Sequence, residues 1–347
     1  MLLIVFLLPA VVSINVNPRK LTGKQLVDYV NRNAKWRATT RRIDANATNL
    51  LAGVKLDFPR VLALDQRYKP KIFLKKIQRN VRLPRWFDAR HGWSYCRDQI
   101  DKIQDQSLCG SCWAVSSASS LQDRFCIWSR GSIQPDLSAI DLVSCCTECG
   151  EGCTGGYPHR VFEYAEKQGI VSGGNFTNKN GCKPYPFANC QNGHGDFSGP
   201  QCKGGNKEDV CIRTCQTPFP FNYYTDRYFT TGSVVIQNNP TAIQQELYRS
   251  GPLVFGAMQI FEDFLHYRSG VYEVTAGKFI GLHAVRLVGY GVENNIPYWL
   301  VANSWGRSWG QNGYFKIRRG NNEANIEGIS SAGFPDFGRS SPAFDHL

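Results

Sequence analysis

Thirteen cysteines stand in this 347-residue chain, all of them between Cys96 and Cys215. No other feature limits the fold as much. An odd number leaves at least one thiol without a partner in the chain, and the clustering confines a covalent framework to one region. Whether cysteines pair depends on the compartment. The N-terminus reads "MLLIVFLLPAVVS", an apolar run from Leu2 to Val12 that ends in small Ser13. It is shorter than the roughly 20 apolar residues that span a bilayer. It fits the h-region of a secretory signal peptide cleaved between Ser13 and Val16, although the n-region has no basic residue. A short membrane anchor is the other reading. The sequons Asn46-Ala47-Thr48 and Asn175-Phe176-Thr177 suit a secretory route as glycosylation acceptors. In that oxidising route twelve cysteines can pair and one is left over.

Charge draws the same boundary as cysteine. Residues 17–82 carry 17 Lys/Arg against 4 Asp/Glu, a net of +13, while residues 83–347 carry 23 against 24, a net of −1. The basic balance belongs to the N-terminal segment, and the larger, cysteine-bearing part is neutral. That argues against a nucleic-acid partner for a secreted chain. The division is therefore a signal at 1–16, a basic segment at 17–82 and a main body at 83–347. The body is long enough for one or two cores.

Periodicity predicts different structure in the two halves of that body. In the basic segment, Leu21, Leu26, Tyr29 and Val30 of "LTGKQLVDYVNRNAKW" fall at helical spacing, and "NLLAGVKLDFPRVLALD" reads as extended or loop. A helix of about four turns is predicted from Cys112 to Arg124 or Trp128. "SAIDLVSCC" and "VFEYAEKQGI" read as two more helices, the last stopped by Gly169. Residues 173–224 show little periodicity and read as disulfide-held loops. Beyond them, "SGPLVFGAMQI", "LHAVRLVGYGV", "PYWLVANSW" and "GYFKIRRG" are short β-like runs between turns, with "TAIQQELYRS" as one more helix. A helical half followed by a sheet half is an α+β plan with two lobes.

A thiol nucleophile needs a base to hold it, a group to orient the base and donors for an oxyanion. Cys112 is the candidate thiol. At the start of a helix it would feel the positive end of the dipole, which lowers a thiol pKa. Gln106 is a candidate oxyanion donor beside the Cys112 backbone N–H. His283 is the candidate base, at the head of a β-like run. Asn303 in "ANSWG" is the candidate orienter, with Trp305 shielding the His–Asn bond from water. Each has a plainer reading. Cys109-Gly-Ser-Cys112 is also the spacing of a redox dithiol, although no thioredoxin-like βαβ pattern surrounds it. A lone His in a strand is usually structural, and an Asn beside a turn is usually a cap. Zinc suits C-x-x-C spacings, but no histidines lie nearby, and no metal or cofactor is implied. The case rests on the co-occurrence of the four residues with the odd cysteine.

At these residues the chain resembles the papain-type cysteine proteases, through "DQSLCGSCWA", "GCTGGYP", "LHAVRLVGYGVENNIPYWLVANSWG" and "GYFKIRRG". "SCCTECGEGCTGGYP", "VSGGNFTNKNGCKPYP", "CIRTC" and "LVDYVNRNAKW" make the resemblance closest to cathepsin B. The similarity runs from about Leu21 to Pro335. It implies a helical lobe and a β-barrel-like lobe with a cleft between them. It implies Cys112 as nucleophile, His283 as base, Asn303 as orienter and Gln106 as oxyanion donor. Gly155 and Gly156 would pair with an extended substrate. Pro158, Ala257 and Ala284 would wall the pocket for the second residue before the scissile bond. The family pattern implies disulfides Cys96–Cys126, Cys109–Cys153, Cys145–Cys211, Cys146–Cys149, Cys182–Cys215 and Cys190–Cys202, which leaves Cys112 free. It implies a monomeric zymogen, lysosomal or secreted, that acts on peptides and proteins. The propeptide would run reversed through the cleft, its positive charge pairing with carboxylates that acid would neutralise. Cystatin-type inhibitors would be partners, the mature chain would begin near Leu83, and the tail after Pro335 would be trimmed.

Four departures qualify this resemblance. The family's occluding loop carries two adjacent histidines after a cysteine. Here "NCQNGHGDFSGPQC" has only a displaced His194, so dipeptidyl-carboxypeptidase activity should be weak or absent. The acidic residue at the pocket base falls at Ile329, which favours bulky apolar residues over Arg, provided that Glu327 does not take its place. Leu282 replaces the Gly before the histidine and would narrow the first-residue pocket. Ser107 and Leu108 replace Gly-Ser after Gln106 and would shift an oxyanion-hole amide. The last two keep a second reading alive: a catalytically weak homologue that binds peptides or partners.

Overall fold

The computed structural model describes residues 17–41, 51–55, 82–188 and 210–340. The N-terminal segment supplies helix α1 (Gly23–Asn33) and a two-residue strand, β1 (Arg37–Ala38). Leu26 and Val30, one turn apart, share the buried face of α1. β2 (Phe87–Asp88) opens the main body, followed by single-turn helices α2 (Ala89–Gly92) and α3 (Arg97–Ile100).

Helix α4 (Cys112–Trp128) is buried at every position except Trp128. A helix enclosed on all sides is a core element, which explains its run of small residues, Ala114, Ser116, Ser117, Ala118, Ser119 and Ser120. Around it stand α5 (Ala139–Cys145), capped by Ser138 Oγ, which accepts from Asp141 N, and α6 (Pro158–Lys167), with Pro at its first position. Gly169, at φ +73°, ends the turn after α6, as the sequence predicted.

The sheet lobe contains β3 (Phe229–Ile236), α7 (Pro240–Ser250), β4 (Leu253–Phe261), α8 (Glu262–Leu265), β5 (Tyr267–Ser269), β6 (Val271–Tyr272), β7 (Phe279–Glu293), β8 (Ile296–Ala302), β9 (Tyr314–Arg318) and β10 (Ser330–Asp336). Its strands run in the order β3-β10-β4-β7-β8-β9-β6, with β2 also beside β7. The pairing is antiparallel except between β6 and β9. Asn294 and Asn295, at φ +48° and +61°, form the turn from β7 to β8, the left-handed pair that a two-residue hairpin demands.

The architecture is the two-lobed α+β plan, with one correction. Among the described residues the sheet does not close into a barrel. It ends at two-residue β6 and at β3, which packs on α6 through Thr230 Oγ1 donating to Phe162 O. The helical lobe has its own core around Trp113, Phe125 and Phe162, and the sheet lobe has a second around Phe264, Trp299 and Trp309. The N-terminal segment lies on the sheet lobe. β1 pairs antiparallel with β5, and buried Trp36 donates from Nε1 to Glu273 O at 2.9 Å. No described helix is long and apolar enough to cross a membrane.

Candidate active site

The two lobes meet where α4 begins. Cys112 is its first residue and is fully buried. The Cys109–Cys153 disulfide pins the turn before it, and Gly110 N donates to Cys153 O at 2.8 Å. Ser111 Oγ and Tyr185 OH share a 2.7 Å hydrogen bond, and Tyr185 OH donates to Gln106 O at 2.9 Å. Across the cleft, Ala284 N on β7 approaches Cys112 Sγ at 3.4 Å, and Ser116 Oγ on α4 donates to Ala284 O at 2.9 Å.

His283 therefore stands one residue from a direct contact with the thiol. It lies inside β7, four residues past its start, rather than at its head. Asn303 follows β8, the strand paired with β7, and its Oδ1 is 2.8 Å from His283 Nε2. The same oxygen accepts from Ser304 N at 2.8 Å. A carbonyl oxygen cannot donate, so Nε2 carries the proton and Nδ1 keeps its lone pair. Nδ1 has no hydrogen-bond partner among the described residues. Trp305 stacks on the imidazole with centroids 4.9 Å apart, covering the His–Asn bond. The Gln106 amide is held at both ends: Ser304 Oγ donates to Oε1 at 2.6 Å, and Nε2 donates to Cys109 O at 3.0 Å.

The protonation state is opposite to the sequence expectation. Burial pushes the Cys112 thiol up to about 11, although four backbone N–H groups oppose it. Burial likewise pushes His283 down to about 4, against the hydrogen bond to Asn303. The helix start does not prevail because the N-terminal segment covers the thiol. Gly53 N donates to Cys112 Sγ at 3.3 Å, Val54 N to Leu282 O at 3.0 Å and Lys55 N to Gly156 O at 3.2 Å. Gly156 N returns a bond to Gly53 O at 3.0 Å, in a parallel bridge between Val54 and Gly156. In this closed state burial favours the neutral form of both groups.

Glycine is required at two of these contacts. A Cβ on Gly53 would lie 1.9 Å from Gly110 O, and one on Gly156 would lie 2.6 Å from the Trp113 ring. Gly155, at φ +120°, also faces Gly53. Beside them Pro158 and Ile329 both approach Gly256, while Ala257 and Ala284 are buried on β4 and β7. Glu327 is engaged elsewhere. Its carboxylate accepts from Trp299 Nε1 at 2.9 Å, Gly320 N at 2.7 Å and Asn322 N at 2.9 Å. Ile329, unlike Glu327, lies beside Pro158 at Gly256.

The two backbone departures have different outcomes. Leu282 sits in β7 with no positive φ, its carbonyl facing the N-terminal segment. Ser107 keeps φ +55°, the left-handed conformation that glycine adopts without strain. Its N–H donates to Asp105 Oδ1 at 2.9 Å, and burial pushes that carboxyl up to about 6.

Five disulfides join Cys96 to Cys126, Cys109 to Cys153, Cys145 to Cys211, Cys146 to Cys149 and Cys182 to Cys215. Cys112 is the free cysteine among the described residues. Cys190, Cys202, His194 and Asn46 lie outside the described residues. Asn175 is exposed in a turn, where its Oδ1 accepts from Thr177 N and Asn178 N. Sequence reasoning missed Ser304, Tyr185 and Gly53. Ser304 stood inside the quoted "ANSWG", but a serine beside a turn has no distinguishing pattern.

The sequence matches the papain family cysteine proteases over residues 83–334. It is 44% identical over 255 residues to a cathepsin B-like cysteine proteinase of Schistosoma japonicum, covering 73% of this chain and 74% of that one. It is 39% identical over 319 residues to a gut-specific cysteine proteinase of Caenorhabditis elegans, covering 90% and 91%. Among solved structures it resembles procathepsin B S9 of Trypanosoma congolense at 34% identity and a TM-score of 0.75, covering 90% of this chain and 98% of that one.

Proposed function

The chain belongs to the papain family as a cathepsin B-like cysteine protease, and from that premise we propose an endopeptidase zymogen with Cys112, His283, Asn303 and Gln106 as its working groups. Residues 1–16 are the signal peptide, 17–82 the activation propeptide and 83–347 the protease domain, with the tail after 335 trimmed. The observation that carries this reading is the one free cysteine of the described residues, at the head of α4, facing the strand of a histidine whose Nε2 is held by Asn303.

Departure of residues 51–55 would readmit water and lower the cost of charging the site. The thiol proton passes to His283 Nδ1, and the thiolate attacks the peptide carbonyl. The Cys112 N–H and the Gln106 amide, released from Cys109 O, stabilise the oxyanion. The tetrahedral adduct collapses as His283 protonates the leaving amine. Water then attacks the thioester, giving its proton to His283, and the thiolate is released with the new carboxylic acid. Activity spans mildly acidic to near-neutral pH, where the ion pair persists.

Ile329 and the engaged Glu327 carboxylate support a preference for bulky apolar residues in the second pocket. Ile329→Glu should raise cleavage of peptides with Arg as the second residue before the scissile bond by about tenfold, the size of one added charge contact in a partly buried site. Unchanged Arg/Phe ratios in a peptide series would reject that pocket assignment. The single displaced His194 supports weak or absent dipeptidyl-carboxypeptidase activity.

The deciding experiment labels the processed chain at pH 5.5 with a peptidyl epoxide and no reductant, followed by peptide mapping. Modification confined to Cys112 with loss of cleavage is the expected result. An unlabelled, folded, processed chain would favour a peptide-binding homologue, for which strained Ser107 is the structural motive.

A further inference from the structure

A buried ion pair behind the cleft touches the element of every reacting group. Asp123 lies on α4, about three turns beyond Cys112. Arg286 lies on β7, three residues beyond His283, and pairs in register with Ala302, the residue before Asn303. Arg286 Nη1 is 2.6 Å from Asp123 Oδ2, with side chains 4% and 0% exposed. Arg286 Nη2 donates to Ile100 O at 3.0 Å and Lys102 O at 2.6 Å, on the segment that runs into Gln106. One guanidinium thus joins the thiol's helix, the imidazole's strand and the oxyanion donor's loop.

Stability alone gives little reason for this arrangement. Taking two charges from water is costly, and apolar residues of the same volume often serve folding as well or better. The pair here is also incomplete, because Asp123 Oδ1 has no hydrogen-bond partner among the described residues. Burial works to raise the Asp123 carboxyl, with the Arg286, Lys102 and Arg124 charges opposing it. What an apolar pair could not reproduce is direction. A planar guanidinium bonded to a carboxylate and two carbonyls admits one relative placement of three elements.

We propose that Asp123 and Arg286 are positioning residues that hold Cys112, His283 and Gln106 in the register the thiolate–imidazolium pair requires. The inference rests on the reading of Cys112 and His283 given above. Its test is the rate of Cys112 alkylation by iodoacetamide against pH. The full chain is expressed and processed, and Tm and peptide kcat and KM are measured alongside. In the double variant Asp123→Leu with Arg286→Met, the alkylation plateau on the acid side should fall about tenfold or more. kcat should fall about 10–100-fold with little change in KM, as for a misplacement near 1 Å. Tm should stay close to that of the unsubstituted chain. Arg286→Lys keeps the charge but cannot reach both carbonyls together with the carboxylate, so it should show the same loss to a smaller degree. It also provides the test if the double variant does not fold. An unaltered alkylation profile and kcat in either folded variant overturns the inference and leaves the pair structural. An unsubstituted chain with no acid-side plateau overturns the Cys–His reading itself, which is a distinguishable result.

Discussion

The two lobes solve the same problem by different means. In the helical lobe no helix or strand follows α6 among the described residues, and the described loops are held by Cys145–Cys211 and Cys182–Cys215. All five described disulfides fall between Cys96 and Cys215. From β3 onward no described residue is disulfide-bonded, although the Cys96–Cys126 bridge packs against the sheet-lobe core from the chain before it. There a continuous ladder runs from β3 to β6, around an aromatic cluster centred on Phe264, whose ring lies 4.9–5.6 Å from those of Phe315, Trp309, Tyr272 and Trp305. Trp36 completes that cluster, 5.1 Å from Tyr272 and 5.9 Å from Tyr267. The sheet lobe thus borrows part of its core from a segment proposed to be removed, whereas the helical lobe is closed by its own covalent bonds.

The comparison is broken most directly at Trp36. Trp36→Ala should cost the full chain about 3–5 kcal/mol, the usual price of emptying a buried aromatic site. The processed chain, lacking the residue, should not register it. An unchanged Tm of the full chain would show that Trp36 is not part of the sheet-lobe core. Replacing Cys109 and Cys153, both in the helical-lobe core, by Ala should cost about 2–4 kcal/mol. Amide exchange should quicken in α4 and the loops around it while β7 and β8 stay protected. Equal loss of protection in both lobes would end the distinction.

A smaller effect is expected at Gly53. Gly53→Ala forces a Cβ against the Gly110 carbonyl. It should weaken closure of the cleft by about 1–3 kcal/mol and let the unprocessed chain react with a thiol reagent that the native zymogen resists. A variant that remains equally unreactive would place the block elsewhere.

The smallest effect concerns acid. The positive segment was expected to pair with carboxylates that acid neutralises. Lys55 does pair with Glu151, but Glu151 is exposed, where water screens the attraction. The sheet-lobe interface offers a different acid-sensitive contact. Thr39 N donates to His266 O at 2.8 Å, and Arg41 N donates to His266 Nδ1 at 3.2 Å. Burial, then the Arg41 charge, pushes His266 down from 6.5 to about 4, with the Thr39 backbone opposing. Arg268 adds positive charge nearby, and Asp263 meets His266 only through its carbonyl, its carboxylate being bonded to Tyr272, Thr275 and Ala276. Undocking removes the Arg41 charge and the cover of the segment from His266, so the undocked imidazole binds a proton more readily than the docked one and docking weakens as pH falls toward about 4. His266→Gln, which keeps an acceptor without a titration, should hold the zymogen latent to a pH lower by about one unit. Unshifted activation would mean that another group governs it.

The helices were readable because their patterns are local. α4 begins at Cys112, α5 falls within its predicted run, and α6 begins at Pro158, three residues before the run read from Val161. Two long sheet strands, β3 and β10, were not readable, and neither were two-residue β2 and β6. β10 contains Gly333 and Pro335, which argue against a strand, and the pairing tolerates the proline through an irregularity at Phe334/Pro335. β3 has Gly232 within it and little alternation. At the site, the four candidate residues were visible as a set, but Ser304, which ties Asn303 to Gln106, was not. Its role exists only where the two loops meet.

The sequence by itself determined the odd thiol, the candidate quartet and the order of helical and sheet halves. Residue chemistry, parity and periodicity are written along the chain. Only the tertiary structure decided the charge of the site. The cost of charging Cys112 or His283 depends on how much water reaches it, and in the closed chain Gly53, far away in sequence, covers the thiol.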